Sequence, residues 1–280
     1  MVSQQDGKNL YKFDNGVSIF REDLGVGRIN RYTQPGHRNL HEPVEEAWLL
    51  GALSESKSGV FFDVGAAVGY YALLCRLKFP SFDVCAYDIL EDHCSAVRRN
   101  ARANGVDGPN LRVFQRAISK FSGFTDCIEQ SYGSSIFPES LSPHEDYFRS
   151  YFGEDPVGSG KKVNRIEVSS LDEQVAQLGA SENVVKIDVQ GSEEQILEGS
   201  RRILEQGRVR YWIIGTHTAD IHKSVVEYLQ NYADVIVDKM NVHQQPDGLV
   251  VAKSRTGRSI RPLNPWKLEE VADWAEAAVS

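Results

Sequence analysis

The chain has 280 residues, 41% of them apolar and 25% charged, proportions of a soluble globular protein that exclude collagen-like, coiled-coil and wholly disordered classes. Lys and Arg number 31 against 39 Asp and Glu, for a formal net charge of -8. The longest basic clusters are pairs such as Arg98-Arg99, Lys161-Lys162 and Arg201-Arg202, so no nucleic-acid partner is expected. No stretch approaches the roughly 20 apolar residues that span a bilayer, and the opening MVSQQDGKNL lacks the layout of a secretion signal. These features predict a cytoplasmic protein with no membrane insertion. Cys75, Cys85, Cys94 and Cys127 show no zinc-type spacing and read as reduced structural thiols.

Residues 1 to 58 read as an N-terminal extension. Within it HEPVEEAWLLGALSES predicts a cap helix with Pro43 in its first turn and an apolar face at Ala47, Leu50 and Leu53. A core domain follows over 59 to 254. GVFFDVG (59 to 65) is a buried-strand pattern running into the helix YYALLCRLKF, FDVCAYD (82 to 88) a second strand, EDHCSAVRRNARANG a second helix ending at Gly105, and LRVFQRAIS (111 to 119) a third strand. From about 120 to 170 the rhythm breaks into Ser, Gly, Pro and aromatics, an insertion of a length that serves function or stays disordered, here read as lying on the substrate side with a few edge strands. It resumes with NVVKIDV, the helix EEQILEGSRRILEQG, the strand VRYWIIGTH, the helix HKSVVEYLQNY and the strands DVIVDK and GLVVAKS. Residues 255 to 280 form a tail whose helix, with Trp266, Val271 and Trp274, packs on the core or on a second copy of the chain, which leaves a homo-oligomer open.

Strands alternating with helices imply an α/β Rossmann-like fold, a mostly parallel seven-stranded sheet with helices on both faces. The last two strands are joined by DKMNVHQQPDG, too short for a crossover helix, so the final strand is antiparallel.

The segment DVGAAVG, Asp63 to Gly69, follows a buried strand and opens a helix. Gly65 permits a tight turn close to a ligand and Gly69 permits close helix packing. The spacing is GxxxG rather than the GxGxxG that cradles a pyrophosphate, which points to a nucleoside ligand without one. Asp63, Gly65, Ala66 and Gly69 are candidate contacts to it. Asp88, at the end of the second strand, is placed to accept ribose hydroxyls. Ala117, with Arg116 and Ile118, flanks the adenine or belongs to the core.

FDVGAAVGYYAL, SSLDEQ (169 to 174) and VVKIDVQGSEEQILEGSRRIL (184 to 204) together resemble the FkbM family of S-adenosylmethionine-dependent O-methyltransferases, over roughly residues 42 to 253. The resemblance implies the class I methyltransferase fold, S-adenosyl-L-methionine as cofactor, and methyl transfer to a hydroxyl of a sugar or secondary metabolite. It also places Ser134, in YGSSIF, near the substrate. This chain departs from the family pattern at Ala67 (usually Asn), at Asp88-Ile89 (usually Glu-Pro), at Gln190 (usually Glu) and at Gly215 (commonly acidic). The loss of two carboxylates argues against a required divalent metal, which favours charged oxygen ligands.

Methyl transfer needs an aligned acceptor and one base. Asp188 ends the fourth strand at the carboxyl edge of the sheet, where it lines the site with cofactor and acceptor or caps the next helix. His217 ends the fifth strand and suits a base near neutral pH. Lys186 and Glu193 are candidate substrate contacts, Glu193 alternatively forming a helix-start device with Ser192. Two other readings are a nicotinamide-dependent oxidoreductase, which the glycine spacing and antiparallel ending disfavour, and a catalytically inactive binding module.

Overall fold

The computed structural model describes residues 9–34, 38–128, 135–136, 163–178, 182–242 and 247–255. An antiparallel hairpin of β1 (Leu10–Lys12) and β2 (Ser18–Phe20) comes first, followed by α1 (Arg21–Tyr32) and α2 (Pro43–Ser56). The core then alternates β3 (Gly59–Val64), α3 (Tyr70–Lys78), β4 (Phe82–Asp88), α4 (Glu91–Ala103) and β5 (Leu111–Gln115). After β6 (Ala117–Ile118), β7 (Gly123–Ile128), β8 (Ser135–Ile136) and β9 (Val163–Ser169) come α5 (Leu171–Leu178), β10 (Asn183–Ile187), α6 (Glu193–Glu198) and α7 (Arg201–Glu205). The described elements end with β11 (Val209–Thr216), α8 (Ala219–Leu229), β12 (Ala233–Lys239) and β13 (Gly248–Ser254).

Seven of these strands form one sheet in the order β12-β13-β11-β10-β3-β4-β5. All neighbouring pairs from β11 to β5 are parallel, and β13 runs antiparallel to both β11 and β12. Central strands covered on both faces must be apolar on both, and β3 shows this in GVFFDV. Phe61 faces one hydrophobic layer with α3 and α4, and Phe62 faces the other with α5 to α8. Both rings are 0% exposed, and burial of each contributes roughly 1.5–3 kcal/mol.

The N-terminal segment shares this core. Tyr11, Phe13, Val17, Ile19, Leu24 and Tyr32 join the layer on the α3/α4 face. The hairpin is held on α4 by amides: Asn100 Oδ1 accepts the Phe20 N–H at 3.1 Å, and Asn104 both accepts from the Ser18 N–H and donates to the Ser18 carbonyl. The inward face of α2 differs from the expected Ala47, Leu50 and Leu53. Of these only Leu53 is buried, with Glu45, Glu46, Leu49, Ala52 and Ser56; the helix is rotated so that two carboxylates face inward.

Two expected elements divide. The third strand breaks at Arg116, where β5 leaves the main sheet and β6 enters a second, four-stranded sheet of order β6-β9-β7-β8. The insertion strands therefore form a sheet of their own rather than edges of the main one. The helix after β10 splits into α6 and α7 at Gly199-Ser200. At Gly199 the Ser119 carbonyl approaches so closely that a Cβ would lie 2.1 Å from its oxygen. Asp172, of the SSLDEQ motif, caps the restarted helix by accepting the N–H groups of Ile203 at 2.8 Å and Arg202 at 3.1 Å.

Candidate active site

From β3 the chain proceeds to β4 and β5 on one side, while β10 and β11 lie on the other. Such a switch point leaves a crevice at the carboxyl ends of the strands. A cleft of about 200 Å³ opens there, lined by Gly65, Ala66, Ala67, Val68, Tyr87, Asp88, Ala117, Ile118, Lys186, Asp188, Gln190 and Asp247. The N-terminal segment adds Leu24, Arg28, Arg31, His41 and Glu42 to its wall.

The glycine loop is built by close approach. Gly65 has φ +85, and a Cβ there would lie 1.9 Å from the Asp188 carbonyl oxygen, so only glycine lets the end of β3 pass the end of β10. Gly69 has φ +88 and precedes α3, where it offers no capping side chain. Asp63 supplies the missing cap from the preceding strand, its Oδ2 accepting the Ala72 N–H at 3.0 Å. Asp63 is expected at the cofactor; instead it is 1% exposed and does not line the cleft. Burial pushes its acid up to about 7 against the pull of Lys186 and the Ala72 N–H.

Asp88 stands at the mouth of the loop. Its Oδ2 accepts the Ala67 N–H at 2.9 Å, and its Oδ1 accepts the Leu90 N–H at 3.0 Å and lies 3.1 Å from His93 Nδ1. A carboxylate offers about four lone-pair sites, so Oδ2 keeps an acceptor position for a ligand hydroxyl. Ala67 adopts φ 47, a left-handed conformation that Asn tolerates better than Ala.

The other end of the cleft holds a buried ionic network. Lys186 pairs with Asp63 across the β10/β3 ladder and is 1% exposed. Its Nζ lies 3.1 Å from Glu45 Oε1, 3.2 Å from Asp188 Oδ2 and 4.4 Å from the Tyr71 ring centroid. A buried ammonium needs such partners, and Lys186, expected to contact substrate, is committed to them. Burial lowers its pKa, but Asp188, Glu45, Asp63 and Glu42 outweigh that and raise it. Burial works against ionised Asp188 as well, and Lys186 and His217 together hold its carboxyl below the usual range. Glu42 is raised well above its usual range by burial, Glu45 and Asp188, and accepts the Tyr71 hydroxyl at 3.0 Å. Gly215 faces this network: a Cβ there would lie 3.4 Å from Asp188 Oδ1 and 3.7 Å from Glu45 Oε2. The Glu45 carboxylate from α2 thus borders the space that a side chain at 215 would occupy.

His217 is 8% exposed, with Nδ1 2.7 Å from Glu193 Oε1 and Nε2 3.5 Å from Asp188 Oδ1 and 3.6 Å from Asp247 Oδ1. Burial disfavours its charge, but Glu193 first, then Asp188 and Asp247, raise its pKa to about 9. Expected to act as a base, it is instead charged at neutral pH and donates protons. The Gln190 amide, 2.8 Å from Nε2, then presents its oxygen, since the two amide ends are assigned from the network. Glu193, expected at the substrate or a helix start, is 0% exposed and does not line the cleft; its carboxylate anchors His217. Ser192 makes no side-chain cap bond.

Sequence reasoning missed Asp247, Glu42 and Glu45. Asp247 lies in a PDG turn read only as a hairpin loop, while Glu42 and Glu45 in HEPVEE, at the N-cap and in the first turn of α2, carry the ordinary acidic signature of a helix start. Burial, opposed by His217, raises the Asp247 pKa. Asp188, His217 and Asp247 bring one ligand atom each within 4.8 Å of one another, the one such His/Cys/Asp/Glu group among the described residues. Ser134 lies outside the described residues.

A parallel sheet with β13 inserted antiparallel beside β11, and a cleft at its switch point, is the Rossmann-like fold of the class I methyltransferase type. The methyltransferase FkbM domain matches residues 63–236, more than half of the chain, which therefore belongs to the FkbM methyltransferase family. Among solved structures, methyltransferase FkbM from Methylobacillus flagellatus KT is similar at 12% identity and TM-score 0.47, covering 70% of this chain. The chain spans 44% of the length of that protein. Magnesium protoporphyrin IX methyltransferase from Synechocystis PCC 6803, with bound S-adenosylmethionine, is similar at 9% identity and TM-score 0.44, over 84% of this chain and 94% of that one. No curated protein matches the chain. Among the described residues no helix is long and apolar enough to cross a membrane.

Proposed function

We propose that the protein transfers the methyl group of S-adenosylmethionine to a hydroxyl oxygen of a sugar or other small metabolite. The observation that carries this reading is one cleft with Asp88, an acceptor site free, at its loop end and the carboxylates of Asp188 and Asp247 at the other. Gly65 lines the cleft between them, its missing Cβ letting the Asp188 carbonyl approach so that both strand ends meet the same cleft. When bound, S-adenosylmethionine supplies a methyl carbon already joined to its sulfonium leaving group. The protein's own work is to bind, to align the acceptor and to receive its hydroxyl proton.

Asp247 suits the proton better than Asp188, because burial raises its proton affinity whereas Lys186 holds the Asp188 carboxyl low. Asp188, fixed by Lys186, orients the acceptor; charged His217 positions both carboxylates.

Calorimetry with S-adenosylhomocysteine tests the cofactor half. Wild type binds, and Asp88→Asn binds about 10- to 100-fold more weakly, the worth of a hydrogen bond to a charged group. Equal affinities, or no binding by the folded wild type, refute the reading. Transfer of labelled methyl to a panel of sugar and metabolite hydroxyls tests the other half. Binding of NADH instead supports the oxidoreductase, and homocysteine-adduct binding without transfer to any hydroxyl supports the binding module.

A further inference from the structure

We propose that Asp188, His217 and Asp247 form a binding site for one divalent cation of the Mn2+ or Mg2+ type, with the Gln190 amide oxygen as a fourth ligand. The site's existence stands on the geometry alone; its use in methyl transfer rests on the function proposed above. This reverses the expectation drawn from the family carboxylates lost at 190 and 215.

One ligand atom from each of Asp188, His217 and Asp247 lies within 4.8 Å of the other two. The ring nitrogen His217 Nε2 is 3.5 Å from Asp188 Oδ1 and 3.6 Å from Asp247 Oδ1, too far for good hydrogen bonds. Ligands each about 2.0–2.2 Å from a shared ion sit at about this mutual spacing. The contacts thus surround a gap of ionic size instead of closing on one another.

The histidine is also set as a ligand. Glu193 Oε1 holds Nδ1 at 2.7 Å, leaving Nε2 to face the two aspartates, the carboxylate–histidine arrangement that fixes ring orientation beside a metal. Glu193 is 0% exposed, and its second oxygen, Oε2, is buried with no hydrogen-bond partner. A buried polar atom left unsatisfied in this way is an exception; His217 is the cation that Glu193 faces in the metal-free protein, and an ion on the far side of the imidazole takes over that charge. Lys186 Nζ, 3.2 Å from Asp188 Oδ2, holds one oxygen of that carboxylate and leaves Oδ1 toward His217.

One imidazole nitrogen, two carboxylates and an amide oxygen form a mixed N/O set suited to Mn2+ and Mg2+ over softer ions. Three of the ligands line the cleft, namely Asp188, Gln190 and Asp247, so open coordination positions face the acceptor. A hydroxyl bound there loses its proton more readily, which is Lewis-acid assistance. In the metal-free protein a proton on Nε2 occupies this position, and the ion displaces it.

The test is titration of chelator-treated full-length protein with Mn2+, followed by loss of the free-ion electron paramagnetic resonance signal. Wild type removes one Mn2+ per chain, Mg2+ competes for it, and Asp247→Asn and His217→Gln each weaken binding at least tenfold. Glu205→Gln, at an exposed position of α7, leaves it unchanged. Calorimetry with S-adenosylhomocysteine on the same samples, without metal, confirms that the variants are folded and separates this question from the cofactor reading. If wild type binds the adduct but no Mn2+, or binds Mn2+ equally well in both ligand variants, the proposal is overturned.

Discussion

Asp63 makes the electrostatics of the buried network measurable. Its carboxyl is 1% exposed, with one oxygen on the Ala72 N–H and the other, Oδ1, without a hydrogen-bond partner. Burial raises it from 3.8 to about 7, a gap of about 3 pKa units or ~4 kcal/mol. The sign follows from proton counting. Between the unfolded and folded values the native state holds a proton that the unfolded chain has lost, so stability falls as pH rises through that window and levels off above it. Asp63→Asn keeps an oxygen for the Ala72 N–H and removes the charge, so its own contribution is flat with pH. The stability of Asp63→Asn relative to wild type should therefore grow by ~4 kcal/mol from about pH 4 to about pH 8, because other titrating groups cancel in the comparison. Urea denaturation of both proteins across that range measures it. Parallel stability curves would refute the argument that desolvation dominates at this position, and a difference growing toward low pH would show that Lys186 dominates instead.

Two further outcomes follow from the glycine loop. Gly65→Ala places a Cβ 1.9 Å from a backbone oxygen at φ +85. It should lower stability by more than ~3 kcal/mol and abolish binding of S-adenosylhomocysteine, as read by denaturant melts and calorimetry; retained binding would mean the loop is not where the cofactor lies. Ala67→Asn, at φ 47, should raise stability by about 0.5–1 kcal/mol and the melting temperature by about 1–2 °C, as read by calorimetric scans. A lower melting temperature would show that the Asn amide disturbs the bond from the residue 67 N–H to Asp88.

The alternation of buried strands and amphipathic helices was legible because each period is written in neighbouring residues: GVFFDV and NVVKI are buried on both faces, and the PDG-containing link is too short for a crossover. The positions of Asp88, Asp188 and His217 at strand ends followed from the same pattern, since ligands of open α/β sheets collect at that edge. The phase of α2 was not legible. Glu45 and Glu46 look like first-turn charges, and only the packing of α2 against the sheet turns them inward.

The amino-acid order alone therefore determined the fold class, the family and the segments that converge on the cleft, because local periodicity and backbone freedom are properties of short stretches. Tertiary structure decided what the charged groups do there. Asp63 became a helix cap, Lys186 a buried counter-ion, His217 a cation and Asp247 a member of the site. Ionisation depends on the summed field of groups brought together from remote parts of the chain, and that sum has no local signature.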